Sequence, residues 1–481
     1  MRRGRRRTVE PADEIVDGRP QRRAEADRRE ASPPGPSGPD PHRGAAGLVH
    51  RVAEANRWVA RHPPPGPFRR GFWRSPLRGP WLTAVLGLVL LVGITILIVT
   101  GLLSYAAYEP SLPGNDLTPG RGLLGFYLFD WPTDPPWLYR LTQGTHVALG
   151  LALVPIVLAK LWSVIPKLFE WPSVRSVAHA LERISLLLLV GGVVFQFVTG
   201  ILNIQIFYVF PFSFYTAHLY GAWVFIGAFV VHVLLKFPTM VRSLRSRSIR
   251  SVLRTPLART EPEPVDDGGL VATDPAPPTV SRRGALGLVG AASATVFGLY
   301  VGQTLDGPLR RTALLSPHDR GLGVGGNDFP VNKTAATAGV TVADTAAWRL
   351  ELNGPSGIRQ LTRPDLLNMQ LRTYDLPLAC VEGWSIECTW TGVPLTDLIR
   401  LAGGSAGDRL FVESFQKAGA FGQVSLSVGQ SQAERSLLAL RVNGEDLSLD
   451  HGFPARTIIP AIPGVHATKW VSRLTVVRGE G

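Results

Sequence analysis

Residues 81–103 read WLTAVLGLVLLVGITILIVTGLL, a run of apolar and small residues that contains no charged side chain. A helix that crosses the hydrocarbon core of a bilayer needs about 20 residues of this kind. The run also starts too far from the amino terminus, and is too long, to be the core of a cleavable signal peptide. It therefore predicts a transmembrane helix and excludes a wholly soluble protein.

Four further apolar runs follow the first. The second covers about 139–165, with Lys160 near its end, and the third covers about 184–209. The fourth covers about 214–237, and a weaker fifth, rich in Gly and Ala, covers about 285–302. We therefore predict four transmembrane helices followed by a fifth anchor helix.

The charged residues outside these runs predict the orientation. Arginines precede the first run, acidic residues dominate the loop after it, and basic residues follow the second and fourth runs. Loops rich in Lys and Arg stay in the cytoplasm, so the amino terminus is predicted there and the carboxyl-terminal region outside. The predicted parts are a disordered basic cytoplasmic amino terminus (1–78), a four-helix membrane domain (79–240), a cytoplasmic linker (241–283), the fifth helix (284–303) and an extracytoplasmic domain (304–481).

The composition of the chain excludes several classes of protein. The chain has 481 residues and only two cysteines, which excludes a disulfide-built scaffold and a cysteine-rich metal protein. Its net charge of +13 includes an arginine cluster between Arg2 and Arg7. Such a tail either binds nucleic acid or holds the amino terminus in the cytoplasm. We favour the second role and expect no nucleic acid as a partner, because no nucleic-acid-binding module follows.

The fifth run has a second possible meaning. Its start, Ser281-Arg282-Arg283-Gly284, resembles a twin-arginine export signal, which would move an already folded, cofactor-loaded domain across the membrane. Two arginines before an apolar helix are also an ordinary cytoplasmic anchor. Both interpretations stay open.

Four histidines lie within the predicted helices. A histidine in a bilayer is costly without a partner, so each is a functional candidate. His218 and His232 are 14 residues apart, nearly four helical turns, and so lie on one face about 21 Å apart. We predict b-type haem iron bound by His146 with His218 near the outer face, and by His179 with His232 near the inner face.

Two observations leave the number of haems at one or two. Lys160 stands 14 residues after His146, at a position where a four-histidine bundle would carry its fourth ligand. His179 lies near a helix end and has the alternative role of an interfacial residue. The alternative for all four is that they are isolated polar residues lining a helical bundle.

The segment Tyr215-Thr-Ala-His218-Leu-Tyr-Gly-Ala-Trp223, ending in His232-Val-Leu-Leu-Lys236, resembles the membrane cytochrome b subunits of bacterial oxidoreductases, the cytochrome b561-like group. The resemblance covers about 80–240. It implies a multi-pass protein of a bacterial-type cytoplasmic membrane, in contact with membrane lipid. It also implies a quinone or quinol, or another respiratory electron carrier, as partner.

From about residue 340 the pattern is that of a soluble domain. Alternating runs at 348–352 and 437–442 are each followed by an Asn-Gly pair, Asn353-Gly354 and Asn443-Gly444, which predicts strands joined by tight turns. Short helices are predicted at 364–368 and 395–401. The expected fold is therefore multi-domain: an all-α transmembrane haem bundle of four helices plus an anchor helix, followed by an α+β domain.

Three blocks of this domain carry a second resemblance: Cys380-Val-Glu-Gly-Trp384-Ser385, Trp390-Thr-Gly-Val-Pro394-Leu395 and His451-Gly-Phe-Pro-Ala-Arg456. They resemble the molybdopterin-binding domain of the sulfite oxidase family, over about 340–478. The likeness is greatest to the bacterial catalytic subunits of protein-methionine-sulfoxide reductases, whose partner is also a haem membrane protein. Cysteine is a soft donor that suits molybdenum, and the resemblance gives Cys380 the role of metal ligand and catalytic residue.

The same resemblance implies contacts to the molybdenum–molybdopterin cofactor. Arg456 and Lys469 stand where the family contacts the cofactor, and His451 stands at a contact position that is Asn or His. Ser414 stands where methionine-sulfoxide reductases have a threonine, and Asn327 loosely matches an amino-terminal cofactor loop. His466, close to Lys469 in the chain, is an added cofactor-binding candidate.

One departure from the family bears on the substrate. Sulfite oxidases place an arginine near the metal, whereas Ala379 precedes the cysteine here, which argues against sulfite. We predict a membrane-bound oxidoreductase that transfers an oxygen atom, with a small-molecule or protein-bound sulfoxide-type substrate, coupled to the quinone pool through b-type haem. The alternative is a haem-containing electron-transfer membrane protein with a non-catalytic docking domain.

Overall fold

The computed structural model describes residues 57–58, 61–116, 129–172, 176–265, 269–318 and 325–478. The arginine cluster and most of the predicted disordered segment 1–78 lie outside the described residues. Residues 1–62 form one unit, in which the rings of Trp58 and His62 stack with centroids 4.5 Å apart. Residues 63–481 form the second unit, which holds all the elements below.

Five long helices confirm the predicted apolar helices. They are α1 (Pro80–Ala106), α2 (Leu138–Leu168), α3 (Val177–Ile204), α4 (Phe214–Arg245) and α5 (Arg282–Leu305). By length and composition, each is able to cross a membrane. Helices α1 to α4 pack around an apolar core that includes Leu90, Leu153, Val193 and Phe225. Other apolar side chains on α3 and α4 are exposed, among them Leu187 and Leu234, as expected for surfaces that face lipid.

Two helix boundaries differ from the prediction. Helix α3 ends at Ile204 rather than near 209, and Ile206 has a positive φ of 55°. The apolar run continues as a loop beyond that point, and hydropathy alone does not separate a helix from an apolar loop. Helix α4 continues to Arg245, so the predicted linker 241–283 begins inside it and then contains a short helix, Ile249–Arg254.

Among the described residues of the carboxyl-terminal domain, ten strands form two sheets, which confirms the mixed architecture. The strands are β1 (Leu350–Gly354), β2 (Gly357–Leu361), β3 (Arg372–Ala379), β4 (Ser385–Pro394), β5 (Arg409–Ser414), β6 (Gln423–Leu426), β7 (Leu437–Val442), β8 (Glu445–Asp446), β9 (Arg456–Ile458) and β10 (Val471–Val477). One sheet has the order β2-β1-β10-β5-β6, and the other has the order β3-β4-β7-β8 with β9 also paired to β7. Short helices are Ala335–Ala338, Val342–Ala346, Arg363–Leu367, Leu395–Leu401 and Val428–Ser431.

Only one of the two predicted Asn-Gly turns is a turn. Asn443 and Gly444 join β7 to β8 with φ values of 49° and 85°, as a tight hairpin requires. Gly354 instead lies in β1, paired with Gly357. A Cβ atom on Gly354 would lie 2.6 Å from the Ala402 carbonyl oxygen, so this glycine permits a close approach of two backbones.

The domain is fixed on one end of the helical bundle. After α1, the Asn115 side chain donates to the Ser425 carbonyl at 2.9 Å and accepts from the Ser425 amide at 2.8 Å. Before α2, the Trp131 ring nitrogen donates to the Ala461 carbonyl at 2.7 Å. We call this the near end of the bundle, and the end at which α5 begins the far end.

Candidate functional site

Cys380 lies in the loop that joins β3 to β4. Its backbone amide donates to the Trp384 carbonyl at 2.8 Å, and the Gly383 amide donates back to the Cys380 carbonyl at 3.0 Å. Gly383 has a φ of 86°, a conformation that favours glycine. These contacts form a tight loop, here called the cysteine loop (380–384), in which Cys380 is only 5% exposed.

A polar network surrounds the thiol, with Glu382 and Trp384 buried and Asn332 exposed. Asn332 donates from Nδ2 to the Cys380 Sγ at 2.9 Å and to a Glu382 carboxylate oxygen at 2.8 Å. The other carboxylate oxygen of Glu382 lies 2.8 Å from His318 Nε2 and 3.3 Å from the Trp384 ring nitrogen. Sequence analysis did not identify Asn332 or His318, since neither stands in a motif beside the cysteine.

Burial controls the protonation of this thiol. Desolvation raises the pKa of Cys380 well above its ordinary value, and the charge of Glu382 raises it further. Hydrogen bonds from the chain, including that of Asn332, act in the opposite direction. The free thiol is therefore protonated at neutral pH, and a metal ion must displace its proton.

Arg456, at the start of β9, lies on the same cavity as the cysteine. It is fully buried, and its terminal nitrogens donate to the carbonyls of His451 and Ala467, each at 3.2 Å. The guanidinium stands over the Trp390 ring at 5.2 Å. Desolvation lowers the pKa of Arg456 to about 10, so the group stays charged at neutral pH without an acidic partner in contact.

Lys469 adds a second cationic group to the cavity. Its Nζ donates to the backbone carbonyls of Lys333 at 2.9 Å and Asp450 at 2.7 Å. Desolvation, followed by the charge of Arg456, lowers the pKa of Lys469 to about 7. Two desolvated cations side by side create a positive potential, which favours an anionic ligand.

The surroundings of His451 keep its imidazole unprotonated. Its Nε2 is 2.8 Å from the Asn327 carbonyl oxygen, and its ring stacks on Phe329 at 3.6 Å. Desolvation, then Arg456 and Lys469, lowers the pKa of His451 to about 3. The imidazole is therefore neutral at physiological pH.

The other three predicted contacts, Asn327, Ser414 and His466, are not among the residues that line the cavity. Asn327 accepts from the Ser448 amide at 2.7 Å and donates to the Asp446 carbonyl at 3.0 Å, which fixes the segment before His451. Ser414 accepts from the Gln416 amide at 3.1 Å and closes the turn after β5. The His466 ring packs at 5.0 Å from the Tyr108 ring, and burial lowers its pKa to about 4.

A single cavity of about 570 Å³ joins the cysteine loop to the interior of the bundle. Cys380, His451, Arg456 and Lys469 line it on the domain side. On the bundle side its walls come from α1, α2, α3 and α4. Lining residues that the sequence did not single out are Tyr108, Gln143, Asn332, Lys333, Gln416 and Phe421.

His146 and His218 face each other across the bundle part of this cavity. Their ring centroids are 6.3 Å apart, with the planes at 82°. The Nδ1 atom of His146 is 3.0 Å from the Leu97 carbonyl oxygen, and that of His218 is 3.0 Å from the Thr199 hydroxyl. Both rings are thus anchored through Nδ1, which leaves Nε2 available for another contact.

Glycines give these rings their space. A Cβ atom on Gly101 would lie 2.9 Å from the His146 ring, and one on Gly200 would lie 3.5 Å from the His218 ring. Both glycines line the cavity. A larger side chain at Gly101 would displace the His146 ring, so small residues are needed where two helices and a ring meet.

The far-end histidines have different neighbours. His179 lies in the first turn of α3, where its amide donates to the Ser176 hydroxyl at 3.1 Å. Lys160 projects from α2 and donates to the Thr83 carbonyl at 2.6 Å. Lys236, one turn after His232, pairs with Glu182 at 3.2 Å. Cationic side chains therefore occupy the level of His179 and His232.

Membrane helices hold three successive carbonyl groups of the cysteine loop. Gln143 on α2 donates through its side-chain amide to the Val381 carbonyl. Tyr300 and Thr304 on α5 donate through their hydroxyls to the carbonyls of Glu382 and Gly383, with a distance of 2.6 Å for Thr304. Gln143 lies one helical turn from His146, so a hydrogen bond links the helix of that histidine to the residue after Cys380.

A known family matches the carboxyl-terminal part of the chain. Residues 337–480 match the model of the oxidoreductase molybdopterin-binding domain family. The chain is 30% identical over 116 residues to the sulfite oxidase of Arabidopsis thaliana, covering 20% of this chain and 30% of that protein. It is 35% identical over 100 residues to a nitrate reductase of Hordeum vulgare, covering 19% of this chain and 11% of that protein.

A further relative is a putative protein-methionine-sulfoxide reductase subunit, YedZ1, of Azospira oryzae. It is 29% identical over 149 residues, which is 31% of this chain and 56% of that protein. Among solved structures, the sulfane dehydrogenase SoxCD of Paracoccus pantotrophus matches with 27% identity and a TM-score of 0.25, over 27% of this chain and 38% of that one. That TM-score is too low to carry an argument about the fold.

The matches thus cover about half of the YedZ1 protein and a smaller part of the sulfite oxidase and the nitrate reductase. The family model, in contrast, spans almost the whole domain from its first short helices to β10. It includes Cys380, His451, Arg456 and Lys469. Residues 337–480 of this chain are therefore an oxidoreductase molybdopterin-binding domain of the sulfite oxidase family.

Proposed function

We propose that this chain is a membrane-bound molybdenum-cofactor oxidoreductase whose electron relay, a b-type haem, lies in the same polypeptide. The observation that carries the proposal is the single cavity that His146 and His218 line at one end and Cys380 lines at the other. Electrons would then pass between the two cofactors within one chain. No soluble carrier would be needed between them.

The residues around Cys380 fit the molybdopterin cofactor. Within the described part of the chain, Arg456 Nε and Thr468 Oγ1 are buried polar atoms without a hydrogen-bond partner, and both residues line the cavity. Buried polar groups are normally satisfied, so these atoms call for a ligand with acceptor groups. The cofactor ends in a phosphate, for which Arg456 and Lys469 would supply charge-assisted donors. Cys380 would supply the thiolate to the metal.

The bundle part of the cavity fits a haem. Metal–imidazole bonds of about 2.0 Å on both sides would bring two ring centroids to roughly 6 Å, and the His146 and His218 rings are 6.3 Å apart. The Nδ1 contacts with Leu97 and Thr199 are the second-shell bonds that orient a ligating histidine. At the far end, Lys160 and Lys236 make their polar contacts at the level of His179 and His232, so we propose one haem, at the near end, and a second stays a prediction.

The chain's own residues would prepare the site for chemistry supplied by the cofactor. When bound, that cofactor supplies two-electron oxygen-atom transfer, in net form X=O + 2e⁻ + 2H⁺ → X + H₂O or its reverse. Asn332 would hold the Cys380 sulfur in place, and burial of the loop would exclude water. Gln143 would connect the helix of His146 to the Val381 carbonyl.

The direction and the substrate are finer proposals. We favour reduction of a sulfoxide-type substrate, supported by the sequence motifs and by the similarity to a putative protein-methionine-sulfoxide reductase subunit. Electrons would come from the quinol pool of a bacterial-type cytoplasmic membrane. The positive loops would keep the amino terminus in the cytoplasm and the molybdopterin domain outside.

Metal analysis and spectra of the purified full chain test the proposal. We expect about one molybdenum per chain, a reduced-minus-oxidised b-haem spectrum, and reoxidation of the haem on addition of a sulfoxide. Cys380→Ser should abolish turnover and leave the haem spectrum intact, because the soft metal ligand is lost. Cys388→Ser, a buried cysteine on the neighbouring strand, is the matched control and should keep turnover.

Two results would contradict this function. A preparation with neither molybdenum nor a b-haem band would exclude the cofactors altogether. Unchanged electron transfer in Cys380→Ser would favour the alternative, an electron-transfer protein in which the domain serves only for docking.

A further inference from the structure

A second cavity, of about 300 Å³, lies at the far end of the bundle. The segment after α4, the short helix Ile249–Arg254 and the first residue of α5 enclose it. From Arg282 at this cavity to Thr304 at the cysteine loop, α5 runs 22 residues, or about 33 Å. This length matches the hydrocarbon core of a bilayer, about 30 Å. The cavity therefore lies at the membrane surface opposite the molybdopterin domain.

The charges around this cavity are unbalanced. Three arginines line it, Arg247, Arg259 and Arg282, and Glu261 is the one acidic residue among the described lining residues. Glu263, just outside the lining, pairs with Arg282 at 3.7 Å, so three positive charges less two negative charges leave a formal charge of +1. Like charges that converge on one cavity repel each other, and an anion in the cavity would relieve that repulsion.

Arg282 shows that the cavity is more than a basic surface. The residue is 4% exposed, and its terminal nitrogens donate to the carbonyls of Glu261 at 2.8 Å and Pro76 at 3.3 Å. Its Nε has no hydrogen-bond partner. The carboxylate oxygen of Glu263 that pairs with it is 3.7 Å away, beyond hydrogen-bond distance. This buried donor is thus held by an ion pair and makes no hydrogen bond.

Exposed apolar side chains lie beside the cavity, among exposed polar and basic ones. Ile249, Leu253 and Leu257, on and just after the short helix, are 45%, 49% and 42% exposed. These side chains stand at the level where lipid acyl chains meet the headgroups. An anion that also carries acyl chains would contact both the arginines and these apolar side chains, whereas a free anion would contact only the arginines.

We propose that this cavity binds the phosphate of an anionic phospholipid headgroup. Guanidinium groups suit phosphate because their planar donors match its oxygens. Basic pockets between transmembrane helices at the cytoplasmic surface bind headgroups of this kind. The proposal depends on the far end lying at the membrane surface, and it is independent of haem and molybdenum. It also gives Arg282, the first arginine of the export-like motif, a role in the folded protein.

Lipid retention by the purified full chain tests the proposal. The chain in detergent is titrated with phosphatidylglycerol or phosphatidylcholine, and bound lipid is counted by native mass spectrometry. We expect one tight site for phosphatidylglycerol and none for phosphatidylcholine. Arg259→Gln removes one exposed lining arginine, and losing a charged hydrogen bond should weaken binding about tenfold or more. Arg254→Gln makes the same charge change outside the cavity lining and should keep the affinity.

Competition with inorganic phosphate separates the two possible sources of the anion. We expect phosphate alone to bind much more weakly than phosphatidylglycerol, because it lacks the apolar contact. Phosphate binding as tight as the lipid would overturn the lipid assignment. Equal weakening by Arg259→Gln and Arg254→Gln would show general surface electrostatics and would overturn the site itself.

Discussion

The two ends of the helical bundle carry similar sequence patterns and have different structures. At the near end, His146 and His218 face each other across a cavity, with Gly101 and Gly200 against their rings. At the far end, Lys160 donates to a backbone carbonyl and Lys236 pairs with Glu182, at the level of the other two histidines. The same kind of histidine pair therefore has different surroundings at the two ends, with anchoring bonds and a cavity at the near end and cationic side chains at the far end.

The largest expected effect that would test this difference is loss of haem. If His146 and His218 hold a haem as proposed, His218→Ala should remove it completely, because the substitution deletes one of the two proposed ligands. His179→Ala should keep that haem, since it changes only the far end. The pyridine haemochrome method measures the amount of haem per chain in both variants. Absorption spectra show whether that haem is low-spin. Loss of the same haem in His179→Ala would show that the two ends do not differ in the way the structure indicates.

A smaller effect should come from the link between the near end and the cysteine loop. Gln143→Leu keeps the size of the side chain but removes its bond to the Val381 carbonyl. We expect reoxidation of reduced haem by substrate to slow by about tenfold, which corresponds to about 1.4 kcal/mol in activation free energy. Stopped-flow absorbance of the haem band measures this rate, with molybdenum and haem contents determined in parallel.

Thr304→Val is the matched control for Gln143→Leu. It removes a bond to the same loop, at the Gly383 carbonyl, from a helix that carries neither His146 nor His218. We expect its reoxidation rate to stay close to that of the unmodified chain. If both substitutions slow the reaction equally, the contacts serve to hold the loop and Gln143 has no special part in the relay.

The smallest expected effect concerns the burial of the Glu109 carboxyl group at the near end. Burial raises the pKa of Glu109 to about 7, while the Trp131 amide, which donates to its carboxylate, acts in the opposite direction. Because the folded-state pKa lies above the unfolded value of about 4.5, stability falls as pH rises from about 4.5 to about 7. Glu109→Gln should remove this contribution to the pH dependence of stability. Thermal unfolding midpoints between pH 4.5 and 8 measure that dependence. If the midpoint of Glu109→Gln varies with pH as that of the unmodified chain does, other groups cause the pH dependence.

Much of the fold follows from local sequence patterns. The apolar runs predict five helices because length and composition suffice for a membrane span, and the alternation at Leu437–Val442 predicts a strand with the bounds observed. The loop after Ile204 was not predicted. Its residues are apolar and aromatic, and their hydropathy does not separate a loop from a helix. Likewise, Asn353-Gly354 predicts a turn on its own, whereas Gly354 is the last paired residue of β1, opposite Gly357, and the turn lies one step later in the chain.

The site was predictable only where a motif marks it. Cys380 and Arg456 stand in the blocks that carry the family resemblance, Lys469 stands at a contact position that the resemblance implies, and all three line one cavity. Asn332 and Gln143 were missed because they reach the cysteine loop from 48 and 238 residues away in the sequence. Hydrogen bonds between such distant side chains leave no periodicity or spacing in a single sequence.

The three carbonyl contacts of the cysteine loop have a consequence for engineering. The donors Gln143, Tyr300 and Thr304 all precede residue 337, where the family match begins. A catalytic domain transplanted at its homology boundary would leave these side chains behind. Chimaeras with a new reaction specificity would therefore have to exchange part of α2 and α5 together with the domain, so the exchangeable module is larger than the domain that sequence comparison outlines.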